Sequence, residues 1–350
     1  MTGSVLVTGG AGYVGSHAAL ALLDAGWRVT VVDDLSTGRR ELVPIGARLV
    51  RADAGDLARM TGLLREIDCT AVMHFAGSTV VPDSVRNPLA YYRNNSMASL
   101  SLIDAATRWG VRAFIFSSTA AVYGNPKRLP VDEECEPRPI SPYGVSKLVV
   151  ERVLEDTGRA HGLPWMALRY FNVAGADPLG RSGQSTPEAT HLIKVACEVA
   201  CGRRERLTIH GDDYDTPDGT CVRDFIHVTD LAAAHVAALE YLLAGGAPQV
   251  LDCGYGRGIS VREVIDTIGR LAGRPLPVVV GPRRAGDIVA MVASGAKLRR
   301  VLGWQPRHDG LDAIMGSALA WEIRQTSAWR ATRPTSVAGP YSPEPHPSPG

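Results

Sequence analysis

Residues 5–16 read VLVTGGAGYVGS, and the fold follows from how this stretch is read. A short apolar run gives way to Gly9, Gly12 and Gly15 in a G-x-x-G-x-x-G spacing, and GSHAALALLDAG then has the apolar periodicity of a helix. Strand, glycine turn and helix in that order form a phosphate cradle. Glycines allow the tight turn and let backbone N–H groups approach a pyrophosphate at the helix N-terminus. The next apolar run, RVTVVD, ends at Asp33, about 20 residues past the turn, where a carboxylate accepts the hydroxyls of an adenosine ribose. The same carboxylate repels a 2′-phosphate. The expected cofactor is therefore NAD and not NADP.

Outward from that turn, strand-like runs (AVMHFAG, RAFIFSS, WMALRYF) alternate with amphipathic stretches, among them DLARMTGLLREI and one long helix from Pro88 to about Arg108. Repeated β-α-β units force a parallel sheet covered on both faces. The expected fold class is α/β, a doubly wound parallel (Rossmann) sheet with a smaller C-terminal substrate-binding domain. Residues 1–172 form the nucleotide-binding domain. Residues 173–334 are mainly substrate-binding, interleaved with late sheet elements at about 223–253. The Pro- and Ser-rich stretch 335–350 is expected to be a disordered tail, because it has too little apolar surface to dock.

Composition narrows the function classes. Net charge is +1, which gives no electrostatic reason for a nucleic-acid or membrane partner. The six cysteines are scattered without a CxxC pair and the histidines lack metal spacing, so reduced thiols, no metal and a cytoplasmic location are expected. The strand pattern starts too early for a signal peptide.

The second decisive stretch is SPYGVSK, residues 141–147. Ser141 and Pro142 suit the first positions of a helix, which puts Tyr143 and Lys147 four apart on one face. A phenol ionises near pH ~10, and a neighbouring ammonium with a cationic nicotinamide would favour the phenolate and lower that value. Tyr143 is thus the candidate general base, with Lys147 as its activator and holder of the nicotinamide ribose. In SSTAAVYG, Thr119 stands at a strand end, where its hydroxyl can share a substrate oxygen with Tyr143.

Taken together, TGGAGYVGSH, VVDDLSTG, HFAG, YYRNN, FSSTAAVYG, SPYGVSK, LRYFNVAGADP, GTCVRDFIHVTDLAAAH and RRAGD resemble the extended short-chain dehydrogenase/reductase family, in order over roughly residues 4–305. Within it the pattern is similar to the nucleotide-sugar 4-epimerases. The resemblance implies an isomerase that oxidises and re-reduces C4 of a UDP-sugar through a 4-keto intermediate, with glucose and galactose as the pair. It implies cofactor contacts from Tyr13 and Val14 in the glycine turn and from Asp34, Ser36, Thr37 and Gly38 after the second strand. Asp53 and Ala54, then Phe75, Ala76 and Gly77, and further on Asn94 and Phe171, complete the cofactor side. The sugar nucleotide falls to Asn172, His191, Leu192, Ile209, His210 and Asp287, with Arg223 and Arg284 on its phosphates and ribose, and Met291 near the sugar 2-position. A homodimer through the helices near 88–108 and 143–160 is also implied.

Three positions depart from the pattern. His210 stands where a bulkier aromatic often stacks on uracil, Ser78 and Thr79 where some members have a lysine, and Met291 where some have a tyrosine. Two other readings share part of this pattern. A nucleotide-sugar 4,6-dehydratase or decarboxylase shares the fold, but a dehydratase has an acid directly after the strand-end Thr, and here Ala120 and Ala121 follow. A non-catalytic NAD-sensing regulator has no use for the Tyr–Lys pair.

Overall fold

The computed structural model describes residues 3–332 apart from 187, 188 and 285; the expected tail at 335–350 lies outside the described residues. The first half runs β1 (Ser4–Thr8), α1 (Tyr13–Asp24), β2 (Arg28–Asp33), β3 (Arg48–Arg51), α2 (Leu57–Glu66), β4 (Cys69–His74), α3 (Val81–Arg86), α4 (Pro88–Tyr91), α5 (Ala98–Trp109), β5 (Ala113–Thr119), α6 (Pro142–His161) and β6 (Trp165–Tyr170). The second runs β7 (Asn172–Ala174), α7 (Leu192–Ala200), β8 (Leu207–His210), β9 (Val222–His227), α8 (Val228–Leu243), β10 (Gln249–Cys253), β11 (Gly258–Ser260) and α9 (Val261–Leu271). It closes with β12 (Val278–Gly281), β13 (Ala290–Met291), α10 (Ala296–Leu302) and α11 (Leu311–Thr332).

Seven strands form one parallel sheet in the order β10-β6-β5-β4-β1-β2-β3. Strand side chains alternate between faces, and each face has its own core. Val5, Val7 and Ile115 pack with α1 and α8 through Leu22, Leu231 and Leu239. Leu6, Phe114 and Phe116 pack with α2, α5 and α6 through Leu63, Leu102 and Leu154. Both faces are dry, which is why the central strands read as continuous apolar runs. The chain winds outward in opposite directions from β1 and β4, so a crevice opens between their C-terminal ends.

A smaller lobe gathers β7, β9, β11 and β13 in one sheet and pairs β8 with β12 in another. Its core is Ile193, Cys197, Phe225, Ile265, Ile268 and Met315, drawn from α7, α9, α11 and β9. Its six strands lie on both sides of β10 in the sequence, where the chain returns to the large sheet. All six cysteines are free thiols. Among the described residues no helix is long and apolar enough to cross a membrane.

The helix expected from Pro88 to Arg108 is not uniform. α4 passes into a π-helical segment, Tyr92–Met97, before α5 begins. The wider turn rotates Asn95 and Ser96 into the interior, and this proves important for the site. β3, which has no apolar run to mark it, is short and buries only Val50.

Candidate active site

The glycine turn is shaped by contacts that only hydrogen permits. Gly9 has φ +68°, and a Cβ there would lie 2.6 Å from the Ala76 nitrogen. A Cβ on Gly15 would sit 2.2 Å from the Gly9 carbonyl oxygen. Gly12 is the N-cap of α1 and offers no side-chain cap, so the first-turn N–H groups of Tyr13 and Val14 remain for an anion. At the end of β2, Asp33 accepts N–H bonds from Ala11 (3.0 Å) and Leu35 (2.9 Å). Burial pushes its pKa up and those two N–H groups oppose the rise. Gly38 must lack a side chain, because a Cβ would meet an Asp33 carboxylate oxygen at 2.6 Å. Asp34 closes the loop onto the Ser36 amide and hydroxyl, with Thr37 following. Asp53 is exposed, accepts the Gly55 N–H at 2.7 Å and precedes buried Ala54. The open cradle and the carboxylate beyond it fit the dinucleotide.

Phe75, Ala76 and Gly77 follow β4 directly across the crevice. Gly77 has φ +151°, and a Cβ on it would lie 3.0 Å from the Asn95 side-chain oxygen and 3.7 Å from Lys147 Nζ. Asn95 is the residue that sequence reasoning missed. Its Oδ1 accepts the Ser78 N–H (2.7 Å), and its Nδ2 donates to the Ser78 carbonyl (3.0 Å) and Ser146 Oγ (3.1 Å). Ser146 in turn donates to the Tyr143 carbonyl. One buried amide thus ties the β4 loop to the turn of α6 that carries Tyr143. Asn94, the expected residue, is exposed and donates to Ser78 Oγ (2.8 Å). Only the adjacent pair in YYRNN hinted at it. A second polar chain, Thr8 to His74 to Ser99, runs beneath the crevice. There His74 is held neutral, its pKa pushed down to about 3 by burial and then by the Lys147 charge.

α6 begins as its sequence dictates: Ser141 Oγ accepts the Gly144 N–H (3.2 Å) and Pro142 fills the first turn. Tyr143 and Lys147 then lie one turn apart and buried. In this protein alone the Tyr143 pKa is raised, chiefly by burial, and the Thr119 hydroxyl is the group that pulls it down. Lys147 Nζ donates to the Ser117 carbonyl (2.9 Å) and lies 4.8 Å from the Phe116 ring centre. Burial lowers the Lys147 pKa to about 8, against an upward pull from Glu151. Thr119 ends β5 and its Oγ1 accepts the Ala121 N–H (3.1 Å).

On the small lobe, Met291 pairs with Arg223 across β13 and β9, and packs with Ala120, Val122, Tyr123 and Phe171. The Arg223 guanidinium donates to the Val222 carbonyl (2.9 Å), and Arg284 to Asp287 (3.0 Å). Asn172 opens β7 and is exposed. His191 is the N-cap of α7, ahead of Leu192, and its Nδ1 faces Gln184 Nε2 (3.2 Å). Ile209 and His210 end β8 beside Val280 and Gly281. Tyr13 joins the halves, its hydroxyl donating to the Gly175 carbonyl (2.6 Å).

A dinucleotide crevice with a Tyr–Lys pair on its rim defines a nicotinamide-dependent enzyme. Residues 5–254 match the model of the NAD dependent epimerase/dehydratase family, and the chain belongs to that family. It is 56% identical over 318 residues to UDP-glucose 4-epimerase of Azospirillum brasilense, covering 91% of each chain. Among solved structures it is similar to the Brucella ovis UDP-glucose 4-epimerase in complex with NAD, with TM-score 0.89 and 45% identity over 92% of this chain and 99% of that one. The Bifidobacterium longum UDP-glucose 4-epimerase in complex with NAD+ and UDP gives TM-score 0.87 and 38% identity over 92% and 98%.

Proposed function

We propose that this protein is an NAD-dependent UDP-sugar 4-epimerase that interconverts UDP-glucose and UDP-galactose. The observation that carries the reading is the meeting of three groups at one sheet edge. Thr119 ends β5, Tyr143 lies buried in the first turn of α6, and Lys147 Nζ faces Gly77 at the mouth of the dinucleotide crevice. Gly9, Gly12, Gly15 and Asp33 would hold NAD, with Asp53, Phe75 to Gly77 and Asn94 around it. Bound NAD supplies the hydride acceptor and donor at the sugar C4.

The chain's own groups manage the proton and the sugar. A phenol kept neutral by burial must lose its proton before it can accept one from the 4-hydroxyl, and the cationic cofactor beside it favours that loss. Thr119 shares the sugar oxygen and favours the same ionised form. Lys147 holds the ribose, and its ammonium supports the charge. Tyr143 takes the proton as the 4-keto sugar forms and returns it when the other epimer is made, so no net proton or electron leaves the site. Arg223 and Arg284 suit the phosphates and ribose, and Met291 walls the sugar end. The dehydratase reading lacks support because Ala120 and Ala121 offer no acid beside Thr119. Exposed Val85, Leu89, Met97 and Val149, on elements that pack together around α6, favour a homodimer through that face.

The test is incubation of purified protein with UDP-galactose and no added nucleotide. Chromatography should show conversion to UDP-glucose. A 4-keto-6-deoxy product, or an unchanged substrate, refutes the assignment.

A further inference from the structure

Directly beneath the catalytic edge lies a buried polar rung that the chemistry above does not use. Ser118, Arg169 and Asp252 occupy matching register positions on the adjacent strands β5, β6 and β10, one residue below Thr119. Each is buried, and so is Glu151 of α6, which receives them from above. The Arg169 guanidinium grips Glu151 with two donors, at 3.0 and 2.6 Å, and Ser118 Oγ also donates to that carboxylate. Arg169 Nη1 donates to the Tyr123 hydroxyl (2.8 Å), which donates to Asp252 (2.8 Å). The Asp252 amide donates to Glu133 (2.7 Å).

A buried ion pair of this kind gains little net stability over apolar packing, so its presence calls for a reason of position or charge. Glu151 stands one helical turn beyond Lys147. We propose that Glu151 is a positioning residue: fixed by the Ser118–Arg169–Asp252 rung, it keeps the Lys147 ammonium charged at the crevice. The proposal rests on the epimerase reading of that site.

Among the described residues, and while the Tyr143 phenol keeps its proton, the groups around Lys147 leave Glu151 as the one anion acting on it. From β4, His74 is neutral. From β6, the Tyr170 phenol is pushed up by burial and stays neutral, as do Tyr143 on α6 and Tyr91 on α4. Burial opposes the Lys147 charge and Glu151 is the group that supports it. Arg169 is directed away, toward Glu151 and Tyr123. Asp252 is pushed up to about 8 by burial and then by Glu133, so at neutral pH it adds little negative charge to compete for Arg169.

The experiment compares pH profiles of kcat/KM for UDP-galactose in the parent enzyme, Glu151→Gln and Glu151→Asp. Loss of the carboxylate should bring the alkaline limb down by roughly one pH unit, the scale of one close charge in partly desolvated surroundings. Glu151→Asp should restore the limb. An unmoved limb in Glu151→Gln, or a uniform loss at every pH, overturns the proposal, because a merely structural role lowers activity without shifting the profile. Should the single variant not fold with Arg169 unpaired, Glu151→Gln with Arg169→Gln leaves no orphaned charge. A downward shift is expected there too, smaller because a cation leaves with the anion, and an unmoved limb is equally fatal. A parent enzyme without turnover at any pH overturns the epimerase assignment, and this proposal with it, and is told apart from an unmoved limb in a working enzyme.

Discussion

Gly15→Ala adds one methyl group to the first turn of α1, and its consequence can be worked from distances. The new Cβ would stand 2.2 Å from the Gly9 carbonyl oxygen, 2.9 Å from the Gly9 carbonyl carbon and 3.0 Å from Gly10 Cα. All three are backbone atoms, so no side chain can swing aside. Relief requires the turn and helix to separate by roughly 1 Å, in surroundings packed like a crystal. Overpacking of that kind costs about 1–3 kcal/mol of stability. The moved turn also misaligns N–H groups meant for the pyrophosphate, and a hydrogen bond to a charged group is worth about 1.5–3 kcal/mol. Losing one weakens NAD binding by roughly 10- to 150-fold. The assay is the NAD content of the purified variant together with a fluorescence titration with NAD. Gly62→Ala provides the contrast: it is the same chemical change on α2, with nothing within 4 Å of the added Cβ, so helix propensity alone predicts a gain of about 0.5–1 kcal/mol. Parent-like NAD affinity in Gly15→Ala, or an equal loss in Gly62→Ala, refutes the reasoning.

Tyr143→Phe should lower kcat by roughly 10²-fold or more, the scale of losing a general base, while calorimetry shows UDP binding unchanged; a near-normal rate removes Tyr143 from its role. Acid should destabilise the fold through its buried imidazoles. His17 and His235 are pushed down to about 4, and His74 and His227 to about 3, in each case first by burial. Unfolded, each takes its proton near 6.5, so stability is full above that pH and falls as pH drops toward 4, by up to about 1.4 kcal/mol per unit per histidine. Urea midpoints should decline across pH 6.5 to 4.5; a flat series contradicts this. Met291→Tyr should depress turnover of UDP-N-acetylglucosamine relative to UDP-glucose by roughly 5- to 150-fold, from a clash of about 1–3 kcal/mol where Met291 packs on Ala120 and Tyr123. Equal loss on both substrates takes Met291 out of the sugar pocket.

The large sheet was legible because both faces of its central strands are covered, so those strands stand out as unbroken apolar runs. The glycine turn and Asp33 were legible because the backbone there tolerates few substitutes. Contacts across distant segments were not. Ser118, Arg169 and Asp252 each look like a stray polar residue in an apolar strand until register aligns them. In YYRNN the sequence pointed to Asn94, whereas the π-turn buries Asn95, and nothing in a helical repeat signals an extra residue in one turn. Spacing along α6 shows that Tyr143 and Lys147 share a face but does not show how dry that face is.

The return of the chain to the large sheet as β10 sets a limit on dissection. A fragment ending at residue 172 would keep the glycine turn and the Tyr–Lys pair, yet β6 would become an open edge with the five residues Met166–Tyr170 deprived of a neighbour on that side. Arg169 and Tyr123 would lose Asp252 at the same cut. Such an edge is a template for self-association. The two halves cannot be traded as separate modules by a single crossover.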